Sequence, residues 1–242
     1  MRVPRVYDPQ PLHEGAELAL GAFAAQHLGR VLRMGPGDEV VVFNGEGGEF
    51  PARIVEVTKK TVRVQLAECR PVPADPRLSI SLGQGISRGE RMDYALQKAT
   101  ELGVGTVTPL FTERCEVRLN AERQAKRTAH WQQVAVSAAE QCLRSRVPDV
   151  SAPRVLADWV QQVDAELKLI LHPEAPRALG EFARPASVAL LVGPEGGLSD
   201  TELEQARAAG FVPLSLGPRV LRTETAPVAA LSVLQYLWGD LA

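Results

Sequence analysis

The chain has 242 residues, of which 45% are hydrophobic and 23% are charged, and its formal net charge at pH 7 is −2. This composition is typical of a globular protein with room for one large domain or two smaller ones, and it argues against a disordered or fibrous chain. No apolar run is long enough to span a bilayer, and the small acidic excess argues against a uniformly basic nucleic-acid binder, so any RNA binding must depend on a local patch.

The first part of the chain predicts a small β-rich domain. Residues 38–68 alternate or run in β-branched residues, as strands do, and Asn44 followed by Gly45 predicts a hairpin turn within them. A short helix is expected just before these strands, over 27–34. Residues 1–72 are therefore expected to form a β-barrel-like domain of ordinary size.

A proline-rich segment ends this domain. Residues 70–77 include three prolines within six positions, which disfavour a helix and interrupt strand pairing. Beyond the segment, short apolar runs alternate with amphipathic stretches, so we expect a second domain over 73–242. This alternation predicts an α/β fold with a mainly parallel sheet.

The elements of the second domain follow from their ends and their periodicity. Gly103 is expected to end the first helix, Ser199 and Glu202 form a capping box, and Pro227 lies in the first turn of the last helix. The predicted strands are 78–86, 105–111, 167–172, 187–193 and 212–217. The predicted helices are 89–104, 120–144, 200–210 and 225–241. The runs 167–172 and 187–193 are continuously apolar, which is typical of buried parallel strands.

The segment GQGISRG at 83–89 joins a strand to a helix and suggests a dinucleotide-binding fingerprint. That fingerprint requires glycines at 83, 85 and 88, but position 88 is arginine. We therefore interpret the segment as a flexible connection between strand and helix, and a nicotinamide-dependent dehydrogenase is disfavoured.

Two later loops are better candidates for a binding site. GPEGG at 193–197 leaves a strand and enters a capped helix, and its glycines would let backbone amides approach a ligand, although a simple tight turn explains them equally well. LGPRVLRTETA at 216–226 mixes charged and apolar residues, as a plain surface loop also could. Both follow neighbouring parallel strands, and open α/β sheets bind ligands at that edge.

Cysteine and histidine usage indicates neither a disulfide framework nor a metal site. Cys69, Cys115 and Cys142 are scattered, and the four histidines lack the spacing of metal ligands. A reduced, cytoplasmic protein without a metal is expected. His172, at the end of a predicted strand, is the one histidine expected near the binding loops. The three tryptophans lie on apolar helical faces and are expected in the core.

The residues of both loops resemble a known family. LLVGPEGGLSDTE and LSLGPRVLRTETA are similar to the cofactor-binding end of the SPOUT methyltransferases. The chain is similar almost end to end to the bacterial RsmE family, which methylates N3 of a uridine in 16S ribosomal RNA. The other matching segments are RVPRVY and HLGRVLRMGPGDEVVVFNG with the family's PUA-like N-terminal barrel, RMDYALQKATELGV with its first catalytic-domain helix, and AAEQCLRSRVP with its long helix. Cys142 and Leu143 depart from the family, which usually has a small residue and glycine there.

The resemblance implies a deep trefoil knot in the C-terminal part of the chain, an obligate homodimer and S-adenosylmethionine as the cofactor. It also implies that the backbone of the knot loops holds this cofactor. Carried onto this chain, and together with His172, the implied cofactor residues are Val192, Gly193, Pro194, Glu195, Gly196, Leu216, Gly217, Val220, Leu221, Thr225 and Ala226.

Methylation of uracil N3 requires that the imide proton leave, and that charge spreading onto O2 and O4 be stabilised. Arg222 is our candidate for stabilising this charge. Glu224 would orient Arg222 or accept the proton. An ion pair between the two that only shapes the loop is an equally good interpretation.

Binding to 16S ribosomal RNA or the small ribosomal subunit would use arginine and lysine contacts with phosphates. The candidates are Arg2, Arg5, Arg30 and Arg33 in the first domain, and Arg88, Lys98 and Arg144 in the second. Two alternatives stay open: a SPOUT methyltransferase that acts on a different RNA base or position, and an RNA-binding module without activity.

Overall fold

The computed structural model describes residues 3–72, 78–172 and 179–241. Its contacts divide the chain into two compact units. The first comprises Met1–Asp75 and Ala139–Val147, and the second comprises Pro76–Ala138 and Pro148–Ala242. None of the described helices is both long and apolar enough to cross a membrane.

The first unit is a six-stranded sheet around one apolar core. Its strands are β1 (Arg5–Tyr7), β2 (Glu17–Ala19), β3 (Glu39–Phe43), β4 (Gly48–Val57), β5 (Val62–Leu66) and β6 (Arg70–Pro71). They lie in the order β1-β3-β4-β5-β2, with β6 paired to β4, and only the β1–β3 pair is parallel. Asn44 and Gly45 lie between the antiparallel strands β3 and β4, and Gly45 has φ +89°, so the predicted hairpin is confirmed.

The helix predicted at 27–34 differs from the observed one. Helix α1 (Ala22–Gln26) begins earlier, and a π-helical turn continues it over His27–Val31. Ala24, Ala25 and Leu28 are buried against the strands, so packing sets the start of this helix rather than the local pattern of 27–34.

The second unit is built on a seven-stranded sheet whose pairs are all parallel. Its strands are β7 (Ser79–Gly85), β8 (Thr106–Phe111), β9 (Asp149–Val150), β10 (Arg154–Val155), β11 (Leu167–Leu171), β12 (Ser187–Val192) and β13 (Val212–Leu214). Their order is β10-β8-β7-β12-β11-β13, with β9 paired to β8. The predicted α/β fold with a parallel sheet is confirmed; the trefoil knot stays a prediction.

All the α-helices described in this unit except one agree with the sequence-based expectation. They are α2 (Glu90–Glu101), α3 (Ala121–Cys142), α4 (Leu156–Gln162), α5 (Asp200–Ala208) and α6 (Thr225–Trp238). Gly103 has φ +81° just beyond α2, Ser199 and Glu202 form the capping box of α5, and Pro227 lies in the first turn of α6. Helix α4 and the two-residue strands β9 and β10 were not predicted, because segments this short carry no clear periodicity.

The expectation of a flexible connection at 83–89 is wrong for its first half. Gly83 and Gly85 are buried in β7, and both are glycine because of close packing. A Cβ atom on Gly83 would lie 2.5 Å from the Trp159 ring, and one on Gly85 would lie 2.5 Å from the Pro194 nitrogen. The three tryptophans are buried as predicted, at 7% exposure or less.

Candidate functional site

A cavity of about 670 Å³ lies at the carboxyl ends of three adjacent strands of the second unit, β12, β11 and β13. It is lined by His172 after β11, by 193–198 after β12, and by 216–217 and 219–224 after β13. All the predicted cofactor residues except Thr225 line it, as do Arg222 and Glu224. The two loops singled out in the sequence therefore face one cavity.

Local hydrogen bonds explain why the glycine loop, residues 193–197, ends just before helix α5. In the capping box of α5, the Glu202 backbone N–H donates to Ser199 Oγ at 3.2 Å and the Ser199 N–H donates to Glu202 Oε2 at 2.9 Å. Gly197 just before the box has φ +69°, a conformation that glycine adopts without strain. The helix is thus fixed at its first turn, and the preceding residues 193–197 form one wall of the cavity.

Glu195 is the hydrogen-bonded acidic group of the cavity wall. Its Oε1 accepts from the Arg88 backbone N–H at 3.0 Å and from the Arg91 guanidinium at 2.9 Å. Partial burial alone would raise the pKa of Glu195, but these hydrogen bonds and the charge of Arg91 outweigh it and lower the pKa. Glu195 is therefore ionised at neutral pH and holds the loop to the start of α2.

Arg222 and Glu224 both line the cavity but have different surroundings. Arg222 is exposed, whereas Glu224 is half-buried. The Oε2 atom of Glu224 is buried and has no hydrogen-bond partner among the described residues. Within the same residues no ion pair joins the two side chains, so the alternative of a loop-shaping ion pair has no support in this conformation.

The predicted RNA-contacting residues have different environments. Arg5 is buried in the first unit, where its guanidinium pairs with Glu49 and donates to Ser145 Oγ at 3.0 Å, so it is not available to an RNA phosphate, contrary to the prediction. Arg2 lies outside the described residues. Arg30 and Arg33 are exposed in the same unit.

The remaining three candidates are engaged to different degrees. Arg88 is exposed and forms an ion pair with Glu116. Lys98 is half-buried and its Nζ lies 2.7 Å from a carboxylate oxygen of Glu101. Arg144 is half-buried and its carbonyl accepts a hydrogen bond from Arg5.

Sequence reasoning missed several residues of the cavity. Arg91, Arg114 and Thr223 line it, as does Arg219, which belongs to the charged residues noted in the second loop. Arg114 Nη1 donates to the Gly196 carbonyl at 3.2 Å. Arg91 and Arg114 follow the carboxyl ends of β7 and β8, so their position after parallel strands was a usable signal. Thr223 lay inside a recognised loop, but nothing in the sequence indicated its partners. Among the described residues, no group of three or more His, Cys, Asp or Glu side chains is arranged to hold a metal ion.

Comparison with known proteins identifies the family. A model described as an RNA methyltransferase domain matches residues 74–235, and one described as an RNA methyltransferase PUA domain matches residues 24–67. Ribosomal RNA small subunit methyltransferase E of Buchnera aphidicola (subspecies Schizaphis graminum) is 35% identical over 243 residues, covering 100% of this chain and 99% of the relative.

Two solved structures cover 100% of this chain and 100% of their own. One, from Legionella pneumophila and containing the bound cofactor S-adenosylmethionine, is 46% identical with a TM-score of 0.97. The other, ribosomal RNA small subunit methyltransferase E from Neisseria gonorrhoeae bound to S-adenosylmethionine, is 38% identical with a TM-score of 0.92. The matched domain and these full-length relatives together show that the chain belongs to the RNA methyltransferase family, and within it to the ribosomal RNA small subunit methyltransferase E family.

Proposed function

We propose that this chain methylates N3 of a uridine in the 16S ribosomal RNA of the small ribosomal subunit, with S-adenosylmethionine as methyl donor. Its relatives support the general activity, S-adenosylmethionine-dependent methylation of ribosomal RNA. The observation that carries the proposal is the single cavity on which the glycine loop, Arg222 and Glu224 converge. Because its substrate belongs to the ribosome, we place the enzyme in the cytoplasm.

The cavity suits S-adenosylmethionine in size and chemistry. Its volume of about 670 Å³ lies within the roughly 300–1,000 Å³ usual for small-molecule sites. Leu171, Leu203 and Leu214 supply apolar surface, and the glycines of 193–197 line the cavity with backbone that carries no side chain of its own. A Cβ atom at position 196 would lie 3.0 Å from Arg114 Cβ, so any residue other than glycine there would require Arg114 to shift. We assign cofactor binding to the predicted residues of both loops.

When bound, S-adenosylmethionine supplies a methyl group already activated by its sulfonium. The protein must then place the uracil and manage the charge at N3. The exposed guanidinium of Arg222 presents several donors at the cavity, which suits it to stabilise charge on O2 or O4 as N3 loses its proton.

Glu224 is our candidate for the group that receives the N3 proton. A buried carboxylate oxygen without a hydrogen-bond partner is costly, and a substrate N–H group would satisfy it. The lack of an ion pair with Arg222 leaves this oxygen available for the substrate. The proton would pass from N3 to Glu224 while Arg222 stabilises the ring oxygens.

A basic groove in the first unit is a candidate RNA-binding surface. Its volume is about 580 Å³, and it is lined by Arg30, Lys59 and Lys60 with no carboxylate among its lining residues. The Arg30 guanidinium donates to the Lys59 carbonyl at 3.4 Å, which keeps these cations together. The groove lies almost wholly within the region matched as a PUA domain. We propose that it binds RNA phosphates, with exposed Arg33 as a further contact of the same unit.

Replacing Arg30, Lys59 and Lys60 together with alanine should weaken binding to 16S ribosomal RNA and flatten its salt dependence. Each lost phosphate contact should lower the slope of log K against log salt by about 0.7–0.9. The slope is measured by fluorescence anisotropy with labelled RNA. A matched control replaces Arg53 and Arg63, which are exposed but paired with Glu39 and Glu17. An unchanged slope in the triple variant would exclude the groove.

We also propose a homodimer. Helix α6 and the adjacent helix α2 expose large apolar side chains, namely Tyr94, Val233, Tyr236 and Leu237. A cluster of this kind on a folded surface marks an interaction site, and a second copy of the chain is the partner that the family implies.

The decisive experiment incubates the purified protein with labelled S-adenosylmethionine and either small subunits or naked 16S RNA from cells that lack this gene. We expect one methyl group per RNA, recovered as 3-methyluridine on nucleoside analysis. A different methylated nucleoside would show that the enzyme acts on another base or position. Titration calorimetry with S-adenosylmethionine and with NADH gives an independent result, and binding of neither would favour an RNA-binding module without activity.

A further inference from the structure

The hydroxyl group of Thr223 lies at the centre of a buried hydrogen-bond cluster behind the cavity. Thr223 is 7% exposed, and its Oγ1 donates to the Gly193 carbonyl at 2.9 Å. Gln84 Nε2 donates to the same oxygen at 3.2 Å, and Ser87 Oγ lies 3.2 Å from it. Gln84 and Ser87 are 1% and 6% exposed, so water does not replace these contacts.

These bonds use the full capacity of the Thr223 hydroxyl. A hydroxyl has one donor and two acceptor positions. The donor is used on Gly193 and one acceptor position faces Gln84, while the other faces Ser87 Oγ, whose single proton is shared between Thr223 and the Gly85 carbonyl at 3.3 Å. Thr223 therefore has no free hydrogen-bonding position for a ligand, although it lines the cavity. Its contribution must act through the residues beside it.

The cluster connects three segments at the carboxyl edge of the sheet. Gln84 lies in β7 and Ser87 in the loop that follows, Gly193 is the first residue after β12, and Thr223 lies between β13 and α6. Arg222 and Glu224 are the neighbours of Thr223 in the chain. The Thr223 hydroxyl thus bonds residues 222–224, which include the proposed catalytic pair, to Gly193, the first residue of the glycine loop.

We propose that Thr223 is a positioning residue that sets where Arg222 and Glu224 stand relative to the cofactor loop. This inference rests on the proposed methyl transfer. Loss of the hydroxyl would leave the Gly193 carbonyl without its side-chain donor, and the Gln84 amide would keep only its bond to the Gly85 carbonyl at 3.2 Å, so residues 222–224 would shift to relieve the unpaired groups. Displacement of a reacting group by about 1 Å can lower a rate by about 10²-fold.

Thr223→Val removes the hydroxyl at nearly constant volume, and Thr223→Ser restores it. We expect Thr223→Val to lower kcat by about 10-fold or more and to raise KM for S-adenosylmethionine by a smaller factor of about 3-fold, because a small displacement costs the reacting groups more than it costs cofactor binding. We expect Thr223→Ser to recover kcat to within about 3-fold. The matched control is Thr108→Val, since Thr108 is also 7% exposed and its hydroxyl bonds to Ser151 away from the cavity.

Amide hydrogen exchange of the protein without cofactor provides a readout that does not depend on activity. Thr223→Val should speed exchange over both 193–197 and 216–224, whereas Thr108→Val should leave both segments unchanged. Ser87→Ala keeps the bond between Thr223 and Gly193, so it should produce smaller changes in the same direction. It serves as the test if Thr223→Val does not fold.

These outcomes distinguish the positioning role of Thr223 from the proposed function. A fall in kcat that Thr223→Ser does not rescue, unchanged exchange in both segments, or an effect confined to thermal stability would each overturn the role of Thr223. Failure of the unaltered protein to methylate 16S RNA would overturn the proposed function instead. The exchange data would still test whether Thr223 holds 193–197 and 216–224 in place.

Discussion

Burial and hydrogen bonding distinguish arginines that are equivalent in the sequence. Arg5 was predicted as an RNA contact, but it is buried, with its guanidinium carbon 4.5 Å from the centre of the Phe43 ring, and it is bonded to Ser145 and Glu49. Arg222 is exposed at the cavity. A buried guanidinium must be paired, whereas an exposed one is available to a ligand. Only the folded chain could show which arginine belonged to which class.

Arg222→Lys should lower turnover by roughly 10²-fold, because a planar fork of donors becomes a point charge at the developing oxyanion. S-adenosylmethionine affinity should stay within about 3-fold, since in our proposal the backbone of the loops holds the cofactor. Single-turnover methylation and calorimetry measure the two effects. The control is Arg154→Lys, an exposed arginine bonded to Gln162. Full turnover with Arg222→Lys would remove Arg222 from the mechanism.

The raised pKa of Glu140 predicts that the free energy of unfolding depends on pH. Burial raises the pKa of Glu140, and the hydrogen bond from the Tyr7 backbone N–H with the charges of His27 and Arg5 offsets this only in part. The pKa of Glu140 is therefore higher in the folded state than in the unfolded state. As pH rises from about 4.5 through the folded pKa, the folded state binds more protons than the unfolded state, so the free energy of unfolding falls.

Glu140→Gln should remove this dependence, because the amide cannot ionise while its oxygen still accepts from Tyr7. The stability of the variant relative to the unaltered protein should therefore rise between about pH 4 and about pH 7. Urea unfolding at both pH values measures it. An equal difference at the two pH values would show that Glu140 does not titrate abnormally.

At the scale of elements, the C-terminal end of α3 explains a departure from the family pattern. Leu143 follows the last residue of the helix and has φ +70°, the left-handed conformation that favours glycine. It is 44% exposed, so little packing compensates for the strain. The family's usual glycine at this position is thus explained by backbone conformation.

Leu143→Gly should raise the free energy of unfolding by about 0.5–1 kcal/mol. The strain of a left-handed leucine is about 1–2 kcal/mol, and the greater freedom of glycine in the unfolded chain offsets roughly half of it. Thermal and urea unfolding test this against Leu143→Ala, which keeps most of the strain. Loss of stability in the glycine variant would mean that the Leu143 side chain contributes packing that outweighs its strain.

At the scale of the whole molecule, helices α2 and α6 expose large apolar side chains, and packing within one chain does not explain this exposure. Tyr236 is 63% exposed and Leu237 is 43% exposed, although both lie on a mostly apolar helix. The proposed homodimer would cover these side chains, and apolar burial would provide its main driving force.

Tyr236→Glu should shift the protein from dimer to monomer, because a charge placed in an apolar interface is costly. Sedimentation velocity at several concentrations measures the shift. Val155→Glu is the control, since Val155 is 53% exposed but lies on β10, outside this face. A Tyr236→Glu protein that stays dimeric would place the interface elsewhere. If the cofactor site needs both copies, S-adenosylmethionine affinity should fall together with dimerisation.

Local patterns predicted much of the fold. Apolar period, capping residues and helix-ending glycines predicted β11, β12, β13 and the helices α2, α3, α5 and α6, because these signals act within a few residues. They did not predict β9, β10 or α4, whose formation depends on pairing with β8 and on the burial of Trp159. The start of α1 was misplaced for the same reason.

The amino-acid sequence alone was sufficient to identify the family, the parallel sheet and the two loops, since the signals for each lie within contiguous segments. Spatial relations between distant segments required the folded chain. They include the packing of Gly83 on Trp159, the burial of Arg5, and the bond that joins Thr223 to Gly193. These contacts link residues far apart in the chain, and their energies depend on burial, which no local pattern records.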